Sequence, residues 1–355
     1  MKTPRININL KNIEENAKLM KERCGRNNIN LTGVVKGSAG DIKVAEAFLS
    51  GGIKSIGDSR LKNIIKMREN GINAEMVLLR LPRISETKEI VKYVDISLVS
   101  EIETIRALGR AAFEAKKEHG ILVMIDVGDL REGVLPENLS SFFKEIVDIE
   151  GILIKGLGVN VGCYGGVLPT NENTKILIEL KEEMERLFNI TIPIISGGNT
   201  ATTILLGSDL PEGINNLRVG EAILQGTDIT NQRDIPGLNH NNFTLTASII
   251  ELKNKPSVPR GKLGHDAFGN VPDFKDKGIR KRTILAVGRQ DVKVDGLSPL
   301  KEGIDILGAS SDHLLIDLTD NEGNFKIGDE LTFSLDYGAM LALMTSDYVA
   351  KNYIY

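Results

Sequence analysis

Lys36 follows an apolar run in GVVKGSAG, where the chain reads as the end of a buried β-strand. A lysine there has two readings. It can lay its stem over apolar surface and keep its ammonium in water, or its site can lower its pKa until the neutral amine attacks a carbonyl. Three further strand ends are rich in glycine and polar groups: DVGDLREG at 126–133, SGGNTATT at 196–203 and LRVGEAI at 217–223. The last two suit an anion, because glycines let backbone N–H groups approach it and Thr200 or Thr202 adds a hydroxyl near a helix start. Taken singly, each reads equally well as a tight turn with an N-cap at Asn199 or Thr200. Together with Lys36 they supply what a pyridoxal phosphate enzyme needs, an amine to hold an aldehyde and a cup for a phosphate.

These groups need a scaffold that brings several strand ends to one place. From about residue 30 to 220 the sequence alternates short β-branched runs with amphipathic stretches, the pattern of βα units on a parallel sheet. Eight strands are expected, at 31–35, 55–58, 75–80, 95–99, 121–127, 154–160, 192–197 and 215–220, with helices such as Ser100–His119 and Asn171–Phe188 between them. Eight such units predict a (β/α)8 TIM-type barrel, which displays its functional groups at the C-terminal strand ends. A doubly wound sheet is the alternative, but the first strand lacks the G-x-G-x-x-G turn of a dinucleotide fold. After Ile235 the texture becomes β-rich, with Gly, Pro, Asn and Asp turns and little helical periodicity. The expected division is therefore a barrel over 1–235 and a mainly-β domain over 236–355, with a long loop from Lys253 to Lys281.

The 355 residues, 41% of them hydrophobic and 26% charged, can bury a sizeable core. Forty-four basic residues against 48 acidic ones, spread along the chain, argue against nucleic-acid or anionic-membrane binding. Two cysteines, Cys24 and Cys163, form no metal-ligand cluster and fit a reducing compartment. The polar opening MKTPRININLKN and the absence of a long apolar run point to a cytoplasmic protein. No metal is expected. His119, at the end of a charged helix, and His240, in an NHNN turn, read as solvated surface, whereas His313 follows Asp312 and has a second reading as a lining residue.

In their order and spacing, Lys36 in VVKGSAGD, Arg131 in IDVGDLREG, Asn199–Thr200 in SGGNTATT, Arg218–Gly220 in LRVGEA, Asp312 in ASSDHLLIDLT and Tyr337 in LDYGAM resemble the alanine racemase superfamily, fold type III of pyridoxal phosphate enzymes. GDLREG, CYGG, DAFG and LDYGA are similar to motifs of its ornithine or broad-specificity amino-acid racemase branch. The resemblance spans nearly the whole chain and implies an amino-acid racemase acting by two bases on a basic amino acid such as ornithine or lysine. It further implies a homodimer, in which the β domain of one subunit completes the active site of the other. Alternatives are an alanine racemase, a non-catalytic pyridoxal phosphate homeostasis protein, which lacks a β domain, and a metal-assisted aldolase or dehydratase, for which ligands are missing.

The resemblance also implies residue roles. Lys36 would hold the cofactor and exchange a proton on one face. Arg131 would reach its phenolic oxygen, and Arg218 its ring nitrogen. Asn160, Ser196 and Asn199 would also bind the cofactor, and Thr200, Gly220, Glu221 and Tyr337 would form its phosphate site. Ser311 and Asp312 would serve the substrate, together with Arg131 and Asp266. Three positions depart from the alanine-specific pattern: Gly40 replaces a tyrosine, Asn160 a histidine, and GKLGHDAFG contains no tyrosine for the second base. Alignment places His265 in that last position, with Asp266 and Cys163 as other options, and histidine exchanges protons near neutral pH. Asp129, Glu132 and Asp266 are the acidic choices for a substrate ω-ammonium, and each also reads as a salt-bridge or turn residue.

Overall fold

The computed structural model describes residues 2–266, 268–271 and 273–355; Ala267 of the DAFG motif lies outside them. The chain opens with β1 (Arg5–Asn9) and α1 (Leu10–Gly25). Eight parallel strands then close into a barrel: β2 (Asn30–Val34), β3 (Ser55–Asp58), β4 (Glu75–Leu78), β5 (Ile96–Val99), β6 (His119–Ile125), β7 (Ile152–Val159), β8 (Ile194–Ser196) and β9 (Asn216–Val219). Closure is made by β2 pairing in parallel with β9, Leu31 opposite Leu217 and Gly33 opposite Val219. Each expected strand is present, because short β-branched runs bounded by turns leave little freedom in where a strand can lie. Val77, Ile96, Leu98, Leu122 and Met124 form one buried cluster from adjoining strands of the barrel.

Helices α2 (Ile42–Ser50), α3 (Leu61–Glu69), α4 (Thr87–Tyr93), α5 (Ile102–Glu114), α6 (Leu139–Ile146), α7 (Asn171–Phe188) and α8 (Glu221–Gln225) alternate with these strands. The expected helix over Ser100–His119 is shorter than predicted. It ends at Glu114, Lys116 turns the chain with a φ of 53°, and His119 opens β6 instead. His119 is not solvated surface: it is 1% exposed, and its Nε2 lies 2.9 Å from Ser97 Oγ. Burial pulls its pKa down to about 4.

Two units divide the chain, Leu10–His240 and the residues up to Asn9 with Asn241–Tyr355. The expected boundaries move at both ends. The alternation RININ buries Ile6 and Ile8, and β1 pairs antiparallel with Phe243–Thr246, so it belongs with the C-terminal strands. Residues 236–240 stay with the barrel, where Asn16 accepts from Asn239 N (2.7 Å) and donates to Asn239 O (2.9 Å). A short ribbon in the barrel unit pairs β10 (Thr227–Asp228) with β11 (Arg233–Asp234).

The second unit is built on β12 (Phe243–Pro256), β13 (Ile279–Leu285), β14 (Leu297–Pro299), β15 (Asp305–Ala309), β16 (Leu314–Asp317), β17 (Glu330–Leu335) and β18 (Ala350–Ile354). Its sheet runs β14-β17-β12-β13-β16-β15, and β1 lies between β12 and β18. Two expectations change. The loop expected from 253 to 281 is narrower, because Lys253–Pro256 pair with Ile279–Arg282 as a ribbon. The sheet also carries a helix, α9 (Tyr337–Thr345), started by Asp336 accepting from Ala339 N at 2.6 Å.

Candidate active site

Lys36 is fixed by the turn that leaves β2. Val35 N donates to Gly57 O of β3 (3.0 Å), Lys36–Ser38 form one 3-10 turn, and the Ser38 hydroxyl donates to Val35 O (2.9 Å). Ala39 and Gly40 then take left-handed φ values of 53° and 58°, which swing the chain to Asp41, the cap of α2. A side chain at Gly40 would place Cβ 2.5 Å from Asn63 Cβ, so the tyrosine of the alanine-specific pattern has no room on this backbone. Burial lowers the Lys36 pKa, as does the charge of Arg131, while Cys163, Asp58 and Glu132 oppose the shift. The amine is thus moved towards the nucleophilic form.

The loop after β6 carries Arg131. Asp126 Oδ1 accepts from Gly128 N (2.8 Å) and Leu130 N (3.2 Å), and Val134 returns to bond Asp126 and Met124. Arg131 forks onto its neighbour Glu132 and donates from Nη1 to Cys163 Sγ (2.7 Å). With its amide oxygen turned to the guanidinium, Asn160 accepts from Nη2 (2.7 Å) and Nη1 (3.0 Å) of Arg131. Arg131, Asn160, Cys163 and Glu132 are therefore one cluster. Asp129 plays a different part from the one considered for it. Its buried carboxylate accepts from the backbone N–H groups of Cys163 (3.4 Å), Tyr164 (3.1 Å) and Val167 (3.2 Å), which fastens the GCYGG loop to the end of β6.

Arg218, inside β9, is buried. Its Nη2 donates to Val159 O (2.6 Å) and its Nη1 to the hydroxyl of Ser196, which in turn donates to Asn216 Oδ1 (2.6 Å). Burial brings its pKa down to about 10, which leaves it a cation at neutral pH. Asn199 caps the 3-10 turn Thr200–Leu205 by accepting from Ala201 N (2.9 Å) and donates to Val161 O (2.6 Å). Thr200 Oγ1 accepts from Ala222 N (3.4 Å), which puts the hydroxyl at the start of α8. Gly220 precedes that helix, and a Cβ there would lie 2.8 Å from Val34 O, so only glycine allows the helix to start against β2. The Glu221 carboxylate accepts from Thr227 Oγ1 and Ile229 N, both at 2.8 Å, and its backbone N–H opens the first turn of α8. Burial raises its pKa.

All these groups stand at the C-terminal ends of parallel strands in one unit. Together they present an amine with lowered pKa, two guanidinium groups and a glycine-lined helix start with a hydroxyl, a donor set that fits a phosphorylated aldehyde. One member escaped the sequence reading. Asp58 ends β3 next to the Lys36 turn, fully buried, with Oδ1 accepting from Arg60 N (2.8 Å) and Asn63 Nδ2 (3.0 Å). The available signal was a carboxylate closing the buried strand SIGD. Among the described residues no group of three or more His, Cys, Asp and Glu is placed to hold a metal ion. None of the described helices is long and apolar enough to cross a membrane.

The second unit holds the remaining candidates. His265 is exposed, and its Nδ1 lies 3.1 Å from Gly269 O; a carbonyl only accepts, so Nδ1 is the donor and Nε2 is the nitrogen left outside this bond. Asp266 is engaged by its own loop, accepting from Phe268 N (2.9 Å), Asn270 N (2.8 Å) and Asn270 Nδ2. The Asn270 side chain leads the causes that lower its pKa. The Arg289 guanidinium lies 5.0 Å from the Phe268 ring of that loop and donates from Nε to Ala309 O (3.0 Å). It thereby ties the loop to the turn that bears Ser311 and Asp312, where Ser311 Oγ donates to Asp312 Oδ2 (2.6 Å). His313 is exposed, with Nδ1 3.4 Å from Ser310 Oγ, and His240 is exposed beside Asp234. Tyr337 is the first residue of α9 and half-buried.

Comparison with known proteins matches residues 8–228 to the alanine racemase N-terminal domain. The chain is 43% identical over 350 residues to an ornithine racemase of Acetoanaerobium sticklandii, covering 98% of this chain and 99% of that one. It is 46% identical over 351 residues to a lysine racemase of Thermotoga maritima, covering 99% and 98%. Among solved structures, the alanine racemase of a D-cycloserine-producing Streptomyces lavendulae superposes with a TM-score of 0.77 at 17% identity, over 100% of this chain and 98% of that one.

Proposed function

Because the chain belongs to the alanine racemase family, we propose that it is a pyridoxal phosphate-dependent racemase that interconverts the L and D forms of a basic amino acid such as ornithine or lysine. The observation that carries this reading is the rim of the barrel, where Lys36, with its lowered pKa, shares the C-terminal strand ends with buried Arg218 and the start of α8. The substrate class rests on the chain-long similarity to racemases of ornithine and lysine.

The residues fit the cofactor as follows. Lys36 Nζ would take its aldehyde carbon, Arg131 its phenolic oxygen and Arg218 its ring nitrogen. Thr200 and the backbone N–H groups of Gly220 and Glu221 would hold the phosphate, with Tyr337 and Asn199 beside them. When bound, the cofactor supplies a conjugated system that accepts the electron pair left when the α-proton departs. Arg218 would limit that capacity, because a guanidinium facing the ring nitrogen keeps its own proton and would supply none there. Lys36 removes or returns the α-proton at Nζ on one face. His265 does so at Nε2 on the other, its ring orientation held by the Nδ1 bond to Gly269. Ser311 offers a backbone N–H to the substrate carboxylate. Asp312 would join it at the substrate, whereas Asp129 and Asp266 are both occupied by their own loops. We further propose a cytoplasmic homodimer, in which the β unit of one protomer covers the barrel mouth of its partner and keeps water from the reacting carbon. Two free cysteines support the reducing setting.

The test is covalent. Borohydride reduction of the cofactor-loaded protein, followed by peptide mapping, should place the cofactor on Lys36, and Lys36→Ala should take up none covalently. Trapping at any other lysine overturns the assignment.

A further inference from the structure

Among the described residues, Asp58 is the acid beside the Lys36 turn whose carboxyl is only half used. Oδ1 holds the turn into α3 through Arg60 N and Asn63 Nδ2. Oδ2 is buried without a hydrogen-bond partner. A buried polar atom left unpaired is costly, so such an atom at a strand end calls for a reason. The β2–β3 ladder supplies one. Val34 pairs with Gly57, so Val35 and Asp58 stand side by side, one residue from Lys36. The groups that act on Lys36 are Arg131, Cys163, Asp58 and Glu132; those that act on Asp58 are Lys36 and the donors from Ser59, Arg60 and Asn63. Glu132 and Cys163 are already bonded to Arg131, which leaves Asp58 as the acid with a vacant oxygen.

Resting on the reading of Lys36 as the cofactor lysine, we propose that Asp58 is a positioning residue for it, acting as its proton partner. Once Nζ closes on the vacant Oδ2, an N–H bond of the Lys36 ammonium breaks as an O–H bond forms there, leaving an amine and a carboxylic acid; the reverse transfer restores the two charges. Net charge is unchanged, so the exchange does not add charge to a buried site. The neutral amine is the form that condenses with an aldehyde and the form that accepts an α-proton. Burial drives both groups in this direction, pushing the Asp58 pKa up to about 6 and that of Lys36 down. Two groups coupled in this way titrate as a pair.

The experiment uses the full chain without cofactor, labelled with acetic anhydride across a pH series and read at the Lys36 peptide by mass spectrometry. Asp58→Asn keeps an oxygen for Arg60 N and Asn63 but removes the charge. It should lower the Lys36 labelling midpoint by at least about one pH unit, giving roughly tenfold more labelling well below both midpoints. Asn63→Ala, which removes one donor from Oδ1 but keeps the carboxylate, should move the midpoint by much less than Asp58→Asn does. An unchanged midpoint in folded Asp58→Asn overturns the proposal and leaves Asp58 a turn residue. If that variant does not fold, infrared titration of the Asp58 carboxyl in wild type and Lys36→Ala decides: a higher midpoint without the lysine supports the pair, and an identical midpoint rejects it. Neither cofactor nor substrate enters these measurements, so they stand apart from the borohydride test of the racemase reading.

Discussion

Replacing His265 by alanine separates chemistry from loop shape. The histidine is exposed, and its side-chain bond among the described residues, Nδ1 to Gly269 O at 3.1 Å, closes a turn that Asp266 also holds through Phe268 N and Asn270 N. Losing one solvated bond from a turn with other ties leaves the fold intact, so a fall in rate reports the missing base. General acid–base groups contribute roughly 10²- to 10⁴-fold. Net racemisation should therefore drop by at least about 10²-fold in both directions, since each direction needs both faces. Solvent deuterium should still enter the α-position of one enantiomer, the one whose proton faces Lys36, and should cease to enter the other. The assay is mass spectrometry of α-deuteration with chiral chromatography, started from each enantiomer. His265→Asn is the control, because its amide can still donate to Gly269 O but cannot act as the base. Both variants should behave alike. Turnover by His265→Ala within about tenfold of wild type, with both enantiomers still exchanging, would refute the two-base role. Activity restored by His265→Asn would show instead that the residue only shapes the loop.

Three further outcomes follow from the geometry. His119 is held neutral with a pKa of about 4, below the reference value of 6.5, so the unfolded chain binds its proton first. This part of stability is complete above pH ~6.5 and is lost as pH falls towards 4, about 3 kcal/mol in all. Asp58, with its raised pKa, acts in the opposite sense over much of the same window, so the effect is read as the difference in urea unfolding between wild type and His119→Gln; a pH-independent difference contradicts it. Asp129→Ala removes an acceptor from three backbone N–H groups and should lower the urea midpoint by the equivalent of roughly 2–4 kcal/mol at constant m, whereas a loss below about 0.5 would mean the GCYGG loop is held otherwise. Arg218→Glu should let the ring nitrogen gain a proton, so racemisation falls and a keto acid accumulates; an unchanged product ratio would place Arg218 away from the ring.

What the sequence disclosed depended on how local each signal was. The barrel was legible because each of its strands is a short β-branched run set between turns. RININ has a clean period of two, but its partners lie beyond residue 242 or at the C-terminus, so nothing nearby marked it as a strand. His119 was misplaced because EAKKEHG looks like the solvated end of a helix. In the structure that charged run is the turn, and the histidine is carried inward by its pairing with Ile152. Lys36 and Gly220 stand out by residue type at a strand end, whereas Arg218 draws notice only through the family resemblance. Asp129 and Asp58 were not assignable in this way, since a lone carboxylate at a strand end or in a turn looks the same whether it staples backbone N–H groups or keeps a buried oxygen unpaired. Asp266 shows the converse: a motif acid that the fold directs towards its own loop.

The central claim, racemisation of a basic amino acid, is tested most directly by incubating the cofactor-loaded protein separately with L-ornithine and D-ornithine, and likewise with the two lysine enantiomers, and following each by chiral chromatography. At least one of the two amino acids should approach the same equal mixture from both starting enantiomers, with no keto acid formed and no loss on adding a chelator. If neither ornithine nor lysine inverts while the cofactor is bound at Lys36, the assignment to basic amino acids is wrong.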